Sequence, residues 1–112
     1  MITVDVIFDE NHNRRGFVVS GHGEYADNGY DIVCAGVSVL VFTCINSLEK
    51  LLGFKMNTGV DEESGLISCI FEEDLSEKAA LLVDSMLIGL RDIEKDYGNR
   101  YLKVNDQEVS KW

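Results

Sequence analysis

Apolar and polar residues alternate at the beginning of the chain, which is typical of a β-strand with one buried face. This pattern covers residues 1–10, polar turn residues follow, and a second apolar run covers residues 14–20. The two runs predict an antiparallel hairpin. The same reasoning predicts a second hairpin, with strands at 54–60 and 66–71 on either side of a turn at 61–65.

Two longer segments predict helices. Residues 31–52 are rich in β-branched side chains, which favour a strand, but about 20 residues is too long for one. We therefore predict a buried helix that begins near Asp31 and ends before Gly53. Residues 74–97 carry apolar side chains at spacings of three and four, which predicts a second helix that Asp74 or Ser76 caps. Gly98 ends this second helix.

A short strand at 101–104 and a polar tail at 106–112 complete the pattern. The predicted order of elements is ββαββαβ. This order predicts an α+β fold in which two helices pack on a mainly antiparallel sheet. A length of 112 residues predicts a single domain over 1–112.

The charge of the chain excludes one class of function. Twenty acidic residues against ten basic ones give a formal net charge of −10, so we expect no direct contact with nucleic acid. Such a surface would instead attract a basic partner. The most apolar stretch, 32–45, is too short to span a bilayer, and the beginning of the chain does not resemble a signal peptide. We therefore expect a cytoplasmic protein that does not enter a membrane.

The chain has three cysteines, Cys34, Cys44 and Cys69. The odd number and the lack of a CxxC spacing argue against a disulfide framework and against a cysteine-rich zinc site. We interpret them as free thiols in a reducing compartment.

The candidate chemistry lies where the first hairpin meets the first helix. His22 lies between Gly21 and Gly23 in a predicted loop at 21–30. If Asp31 is the N-cap of the helix, Cys34 lies in the first turn, where unpaired N–H groups lower the pKa of a thiol. The same N–H groups would stabilise an oxyanion, and a nearby imidazole would complete the activation of the thiol.

Each of these residues also has a purely structural interpretation. Cys34 is also explained as a small core residue, Asp31 as a helix cap and His22 as a loop residue. Ser38 lies one turn beyond Cys34, where its hydroxyl group can bond to a helix carbonyl. A metal site made of His22, Asp31 and Cys34 is a weaker alternative, because the spacing of these ligands matches no known metal motif.

The pattern Gly21-His22, eight residues, and then Asp31-Ile32-Val33-Cys34-Ala35-Gly36-Val37-Ser38 resembles the ribosomal-processing cysteine protease family, Prp. The resemblance covers essentially the whole chain. It implies a small bacterial cytoplasmic enzyme that forms homodimers and needs no metal or cofactor. It also implies a substrate, the basic precursor of the large-subunit ribosomal protein numbered twenty-seven, which loses a short N-terminal extension during ribosome assembly.

The resemblance also assigns roles to residues. By this match Cys34 is the nucleophile, and His22 is the general base and acid. Asp31 would orient His22 or fix the helix start, Ser38 would support the thiolate, and the loop with Gly21 and Gly23 would move to admit the peptide. The alternative is a non-catalytic ribosome-assembly protein that holds a basic peptide tail.

Overall fold

The computed structural model describes the backbone of residues 1–21 and 28–108 and the side chains of residues 1–21 and 31–107. Five strands and two helices follow one another in the order ββαββαβ, as the sequence predicts. Their bounds are β1 Ile2–Phe8, β2 Arg14–Ser20, α1 Asn28–Leu52, β3 Met56–Asp61, β4 Leu66–Phe71, α2 Glu77–Tyr97 and β5 Leu102–Glu108.

The strands form one sheet in the order β3-β4-β2-β1-β5. Both predicted hairpins are present, and β2 also pairs with β4 in the antiparallel sense. Among the described strands, only the pairing of β1 with β5 is parallel, so the sheet is mixed but mainly antiparallel. Because β2 and β3 are each antiparallel to β4, they run in the same direction and end at the same end of the sheet.

The core lies between one face of this sheet and the two helices. The alternation in β1 buries Ile2, Val4 and Val6, as the sequence pattern predicts. The buried side of α1 repeats at helical spacing through Val33, Val37, Val41, Cys44 and Leu48, and that of α2 through Ala79, Val83, Met86 and Leu90. One helix face therefore packs on the sheet in each case.

Two glycines let α1 and α2 approach closely. A Cβ atom on Gly36 of α1 would lie 3.1 Å from Ile93 Cδ1, and one on Gly89 of α2 would lie 2.9 Å from the Leu40 side chain. These contacts fix α1, and with it Cys34, against α2.

The predicted beginnings of the two helices differ from those in the structure. Helix α1 begins at Asn28 instead of Asp31, because the apolar pattern marks the buried part of a helix and a first turn does not have to be buried. Helix α2 begins at Glu77, and Ser76 is its N-cap, with Oγ accepting from Ala79 N–H at 3.1 Å. The cap prediction is therefore confirmed for Ser76, while Asp74 lies outside the helix.

Strands β3 and β5 are also shifted. β3 begins at Met56, because Phe54 still belongs to the turn after α1, where its N–H group donates to Leu48 O at 3.0 Å. β5 continues to Glu108, into the predicted polar tail. Its polar side chains bind across the sheet, since the Asn105 and Gln107 amides each donate to Asp5 Oδ1 at 3.1 Å.

Helix α1 is long and apolar enough over Asp31–Leu52 to cross a membrane by length and composition, and this segment is longer than the stretch at 32–45 that the sequence analysis calls too short. In the fold its buried side chains form part of the core. A core helix often passes the same test, so length and composition are weak evidence here.

Candidate functional site

Strand β2 leads directly into the first part of the candidate site. Gly21 follows the last residue of β2 with a φ of 75°. A Cβ atom here would lie 2.3 Å from the Met1 carbonyl oxygen, so only glycine fits. Gly21 therefore fixes the direction in which the chain leaves the sheet toward His22. His22 and Gly23 themselves lie outside the described residues.

Helix α1 positions the second part of the site. Because the helix begins at Asn28, Asp31 is in its first turn and is not the N-cap. Cys34 is the seventh helical residue and lies in the second turn. The first four N–H groups of a helix have no partner within it, so Cys34 lies beyond the free donors. The prediction that Cys34 occupies the first turn is therefore wrong.

Among the described residues, two features of the surroundings of Cys34 disfavour its thiolate. The side chain is partly buried and packs against the hydrophobic core. Burial raises the pKa of the Cys34 thiol above its ordinary value, and the Asp31 carboxylate raises it further. Burial and the Asp31 charge thus act in the opposite direction from the lowering of the pKa that the sequence predicts from the helix end.

Ser38 contacts the turn that carries Cys34. Its hydroxyl group donates to the Cys34 carbonyl oxygen at 2.8 Å. This is the bond to a helix carbonyl that the structural interpretation of Ser38 predicts. It links Ser38 to the backbone of the cysteine residue.

The other two cysteines differ clearly from Cys34. Cys44 and Cys69 are buried, and burial raises their pKa values to about 11 and about 12. Neither forms a disulfide, and Cys34 does not form one either. Cys34 is the most exposed of the three and the best candidate for a nucleophile.

The described residues contain no group of three His, Cys, Asp or Glu side chains that could hold a metal ion. Since His22 is outside these residues, the metal alternative that includes it stays a hypothesis.

The topology brings several segments to the same end of the sheet as Cys34. Strands β2 and β3 end there, and α1 begins there. The first residue of β1 is also at this end, where Ile2 N–H donates to Tyr101 O at 2.8 Å. The electrostatic effect of Asp31 on Cys34 was not predicted, although their separation of three residues on a helix is a signal for such a contact.

Comparison with known proteins shows what this fold and sequence resemble. Residues 1–103 match the model of the family described as cysteine protease Prp. The ribosomal processing cysteine protease Prp of Bacillus subtilis (strain 168) is 38% identical over 85 residues, which cover 72% of this chain and 76% of that protein.

Solved structures agree with the sequence match. The crystal structure of an essential ribosomal processing protease Prp from S. aureus in complex with a substrate peptide superimposes with a TM-score of 0.88. It is 27% identical, and the match covers 96% of this chain and 100% of that chain. A second structure of that protease, with a covalently linked product peptide, gives a TM-score of 0.83 at 28% identity, with 96% of this chain and 100% of that chain covered.

Proposed function

This chain belongs to the cysteine protease Prp family, and we propose that it is a cysteine endopeptidase that removes an N-terminal extension from the bacterial large-subunit ribosomal protein numbered twenty-seven. The observation that carries the proposal is the match of residues 1–103 to the family model. The match includes the Gly21-His22 pair and the segment from Asp31 to Ser38 that the sequence analysis singles out.

In the proposed reaction His22 takes the proton of the Cys34 thiol, and Cys34 Sγ attacks the carbonyl carbon of the scissile peptide bond. The C–N bond breaks as His22 returns the proton to the leaving amine, and an acyl-thioester remains on Cys34. A water molecule, deprotonated by His22, then hydrolyses the thioester and restores the thiol. Because burial and Asp31 raise the pKa of Cys34, the thiolate depends on a cationic His22 imidazole beside it.

The supporting residues hold the two catalytic residues in place. Ser38 holds the backbone of the turn that carries Cys34, through the bond at 2.8 Å. Asp31 orients the His22 imidazole or fixes the start of α1. Gly21 sets the direction in which the chain leaves β2, and movement of the loop with Gly21 and Gly23 to admit a peptide stays a prediction from the resemblance.

The substrate proposal agrees with the charge of the chain. A ribosomal protein is basic, and a surface with a net charge of −10 would increase the rate at which the two proteins meet. Three cysteines without a disulfide fit a reducing compartment, so we place the enzyme in the cytoplasm. Cell fractionation tests this location.

The first experiment is to incubate the protein with the precursor and identify the new N-terminus by mass spectrometry. We expect one cut, which is lost in both Cys34→Ala and His22→Ala. We expect Asp31→Ala to reduce activity less than Cys34→Ala does, because orienting groups usually matter less than the nucleophile. Cys44→Ala is the matched control and should keep the activity, since Cys44 is buried in the core. Cleavage that survives both Cys34→Ala and His22→Ala would contradict the assigned roles.

A second candidate function is a non-catalytic ribosome-assembly protein that holds a basic peptide tail. The raised pKa of Cys34 favours it, because a binding protein needs no reactive thiol. Alkylation distinguishes the two functions. Stoichiometric modification of Cys34 that abolishes cleavage supports the enzyme, whereas an unreactive Cys34 in a protein that binds the precursor without cutting it supports the binding protein.

We also propose that the chain forms a homodimer through the outer face of its helices. Large apolar side chains are exposed there, Ile32 and Val39 on α1 and Leu81 and Ile88 on α2. A groove of about 190 Å³ between Val39 and Ser85 runs between the helices. Light scattering should give a dimer mass for the wild type and a monomer mass for Val39→Glu.

A further inference from the structure

The two edge strands of the sheet, β5 and β3, differ in how far their outward-facing backbone groups are covered. At the β5 edge, Val104 N–H donates to Glu94 Oε2 of α2 at 2.8 Å, and Arg91 of α2 pairs with Asp106 at 3.1 Å. Side chains of α2 thus occupy part of the outward-facing edge of β5. Such covering is one of the ways in which proteins prevent an edge strand from pairing with another chain.

The β3 edge has a regular alternation of inward and outward backbone groups. Glu72 N–H donates to Lys55 O at 3.0 Å, and Gly65 N–H donates to Asp61 O at 2.8 Å. In an antiparallel pair these bonds alternate, so residues 55, 57, 59 and 61 bond to β4. The N–H and C=O groups of Met56, Thr58 and Val60 therefore point away from the sheet.

These outward groups are accessible. Every residue of β3 except Met56 is exposed, and Val60 is 56% exposed. Within the part of the chain that the structure describes, the backbone groups of Thr58 and Val60 have no hydrogen-bond partner on the outer side.

The β3 edge also lacks the usual protection. The register with β4 is continuous over all six residues, without a bulge, and Met56–Val60 contains no proline and no charged side chain. A straight, uncharged and uncovered edge can accept an additional strand.

The charge at the end of β3 identifies the kind of strand. The turn that follows carries Asp61, Glu62 and Glu63, all exposed. The Asp61 carboxylate accepts from the N–H groups of Glu63 at 3.1 Å and Ser64 at 3.5 Å, and these bonds hold the turn. The acidic turn lies at the same end of the sheet as the beginning of α1, the part of that helix that contains Cys34. An occupant of this edge is therefore expected to carry basic residues near the active-site end.

We propose that the outer edge of β3 binds the substrate as an extended basic peptide, which adds a sixth strand to the sheet. This inference rests on the proposed function. Six residues of strand span about 20 Å, so the edge can align a peptide of this length and direct it toward Cys34. Backbone bonds supply the affinity along the edge, and Glu62 and Glu63 select for basic residues where the peptide leaves it.

Amide hydrogen exchange of the ¹⁵N-labelled Cys34→Ala protein tests the proposal directly. The probe is a synthetic peptide that spans the extension and the first basic residues of the ribosomal protein. We expect the peptide to slow exchange at the outward amides of Met56, Thr58 and Val60 at least tenfold. The amides of Asn57 and Gly59 already bond to β4 and should change little, which makes them internal controls.

A proline variant provides the kinetic test. Thr58→Pro removes one outward N–H donor without removing a bond to β4, and edge strands tolerate proline at such a position. We expect Thr58→Pro to raise KM about fivefold, as loss of one hydrogen bond does, with little change in kcat. Thr58→Ala keeps the N–H group and is the matched control. The double variant Glu62→Gln/Glu63→Gln should weaken the salt dependence of KM.

The outcomes separate this proposal from the proposed function. Binding of the peptide without slower exchange in β3, in a folded protein, would overturn the docking surface even if the wild type cuts the precursor. Protection of β3 without peptide that increases with protein concentration would show that a second copy occupies the edge, and would also overturn it. Protection by the peptide together with an inactive wild type would support the surface and contradict the protease function.

Discussion

The effect of Asp31 on Cys34 leads to a prediction that can be measured without the substrate. The carboxylate raises the pKa of the thiol, so Asp31→Asn should lower that pKa and leave burial as the remaining cause of its increase. Residues three apart on a helix have Cβ atoms about 5–6 Å apart. Because Asp31 is exposed, water screens the interaction, and Coulomb's law with a dielectric constant near 80 gives about 0.7 kcal/mol at 6 Å.

This energy corresponds to about a threefold change in the equilibrium between thiol and thiolate. Below the pKa, the fraction of Cys34 thiolate would then rise about threefold. A thiolate of lower pKa is also a weaker nucleophile, with a Brønsted coefficient of about 0.4–0.5, which reduces the gain to about twofold. Iodoacetamide at pH 7 and low ionic strength should therefore modify Cys34 about twice as fast in Asp31→Asn as in the wild type.

Peptide mass spectrometry should be used to follow the modification of Cys34 separately from that of the other two cysteines. Cys44 and Cys69 have pKa values of about 11 and about 12 and should react far more slowly. Glu49→Gln is the matched control, because Glu49 is an exposed acid at the other end of the same helix. The difference between Asp31→Asn and wild type should disappear in about 1 M salt, where the Debye length is about 3 Å. An equal or slower rate in Asp31→Asn at low salt would refute the reasoning.

Two further predictions concern stability. Gly21→Ala should lower the free energy of unfolding, measured by urea denaturation, by at least about 1 kcal/mol more than Gly53→Ala does. Both glycines have positive φ, but a Cβ atom on Gly21 meets the Met1 carbonyl oxygen at 2.3 Å and one on Gly53 meets nothing within 4 Å; equal losses would contradict this account. Asp9→Asn should destabilise the fold at pH 7, because hydrogen bonds from the Asn13 N–H group and the Arg15 guanidinium hold the pKa of Asp9 below its usual range. Because the pKa of Asp9 is lower in the folded than in the unfolded protein, its carboxylate stabilises the fold above the unfolded pKa near 4. This stabilisation is lost as the pH falls through the folded pKa, so the melting temperatures of the wild type and Asp9→Asn should converge in acid. A difference in melting temperature that stays constant to pH 2 would contradict the assignment.

The sequence by itself determined the order of the elements and most of their faces. Alternation in β1 predicts the burial of Ile2, Val4 and Val6, since a strand's side chains point to opposite sides with period two. Length decides that the β-branched segment of α1 is a helix. The sequence also locates the candidate residues Gly21, Cys34 and Ser38, because the family motif is a local pattern with fixed spacing.

The tertiary structure decided what the local pattern does not encode. The apolar pattern does not show that α1 begins at Asn28, because neither Asn28 nor Gly29 carries an apolar side chain. Only this extra turn places Cys34 beyond the free N–H groups, and burial and Asp31 raise its pKa. Strand pairing is equally non-local: the parallel contact of β1 with β5 turns a predicted polar tail into an edge strand. Partners for Asn105 and Gln107 come from Asp5, about a hundred residues away, and a local pattern carries no information about such distant pairs.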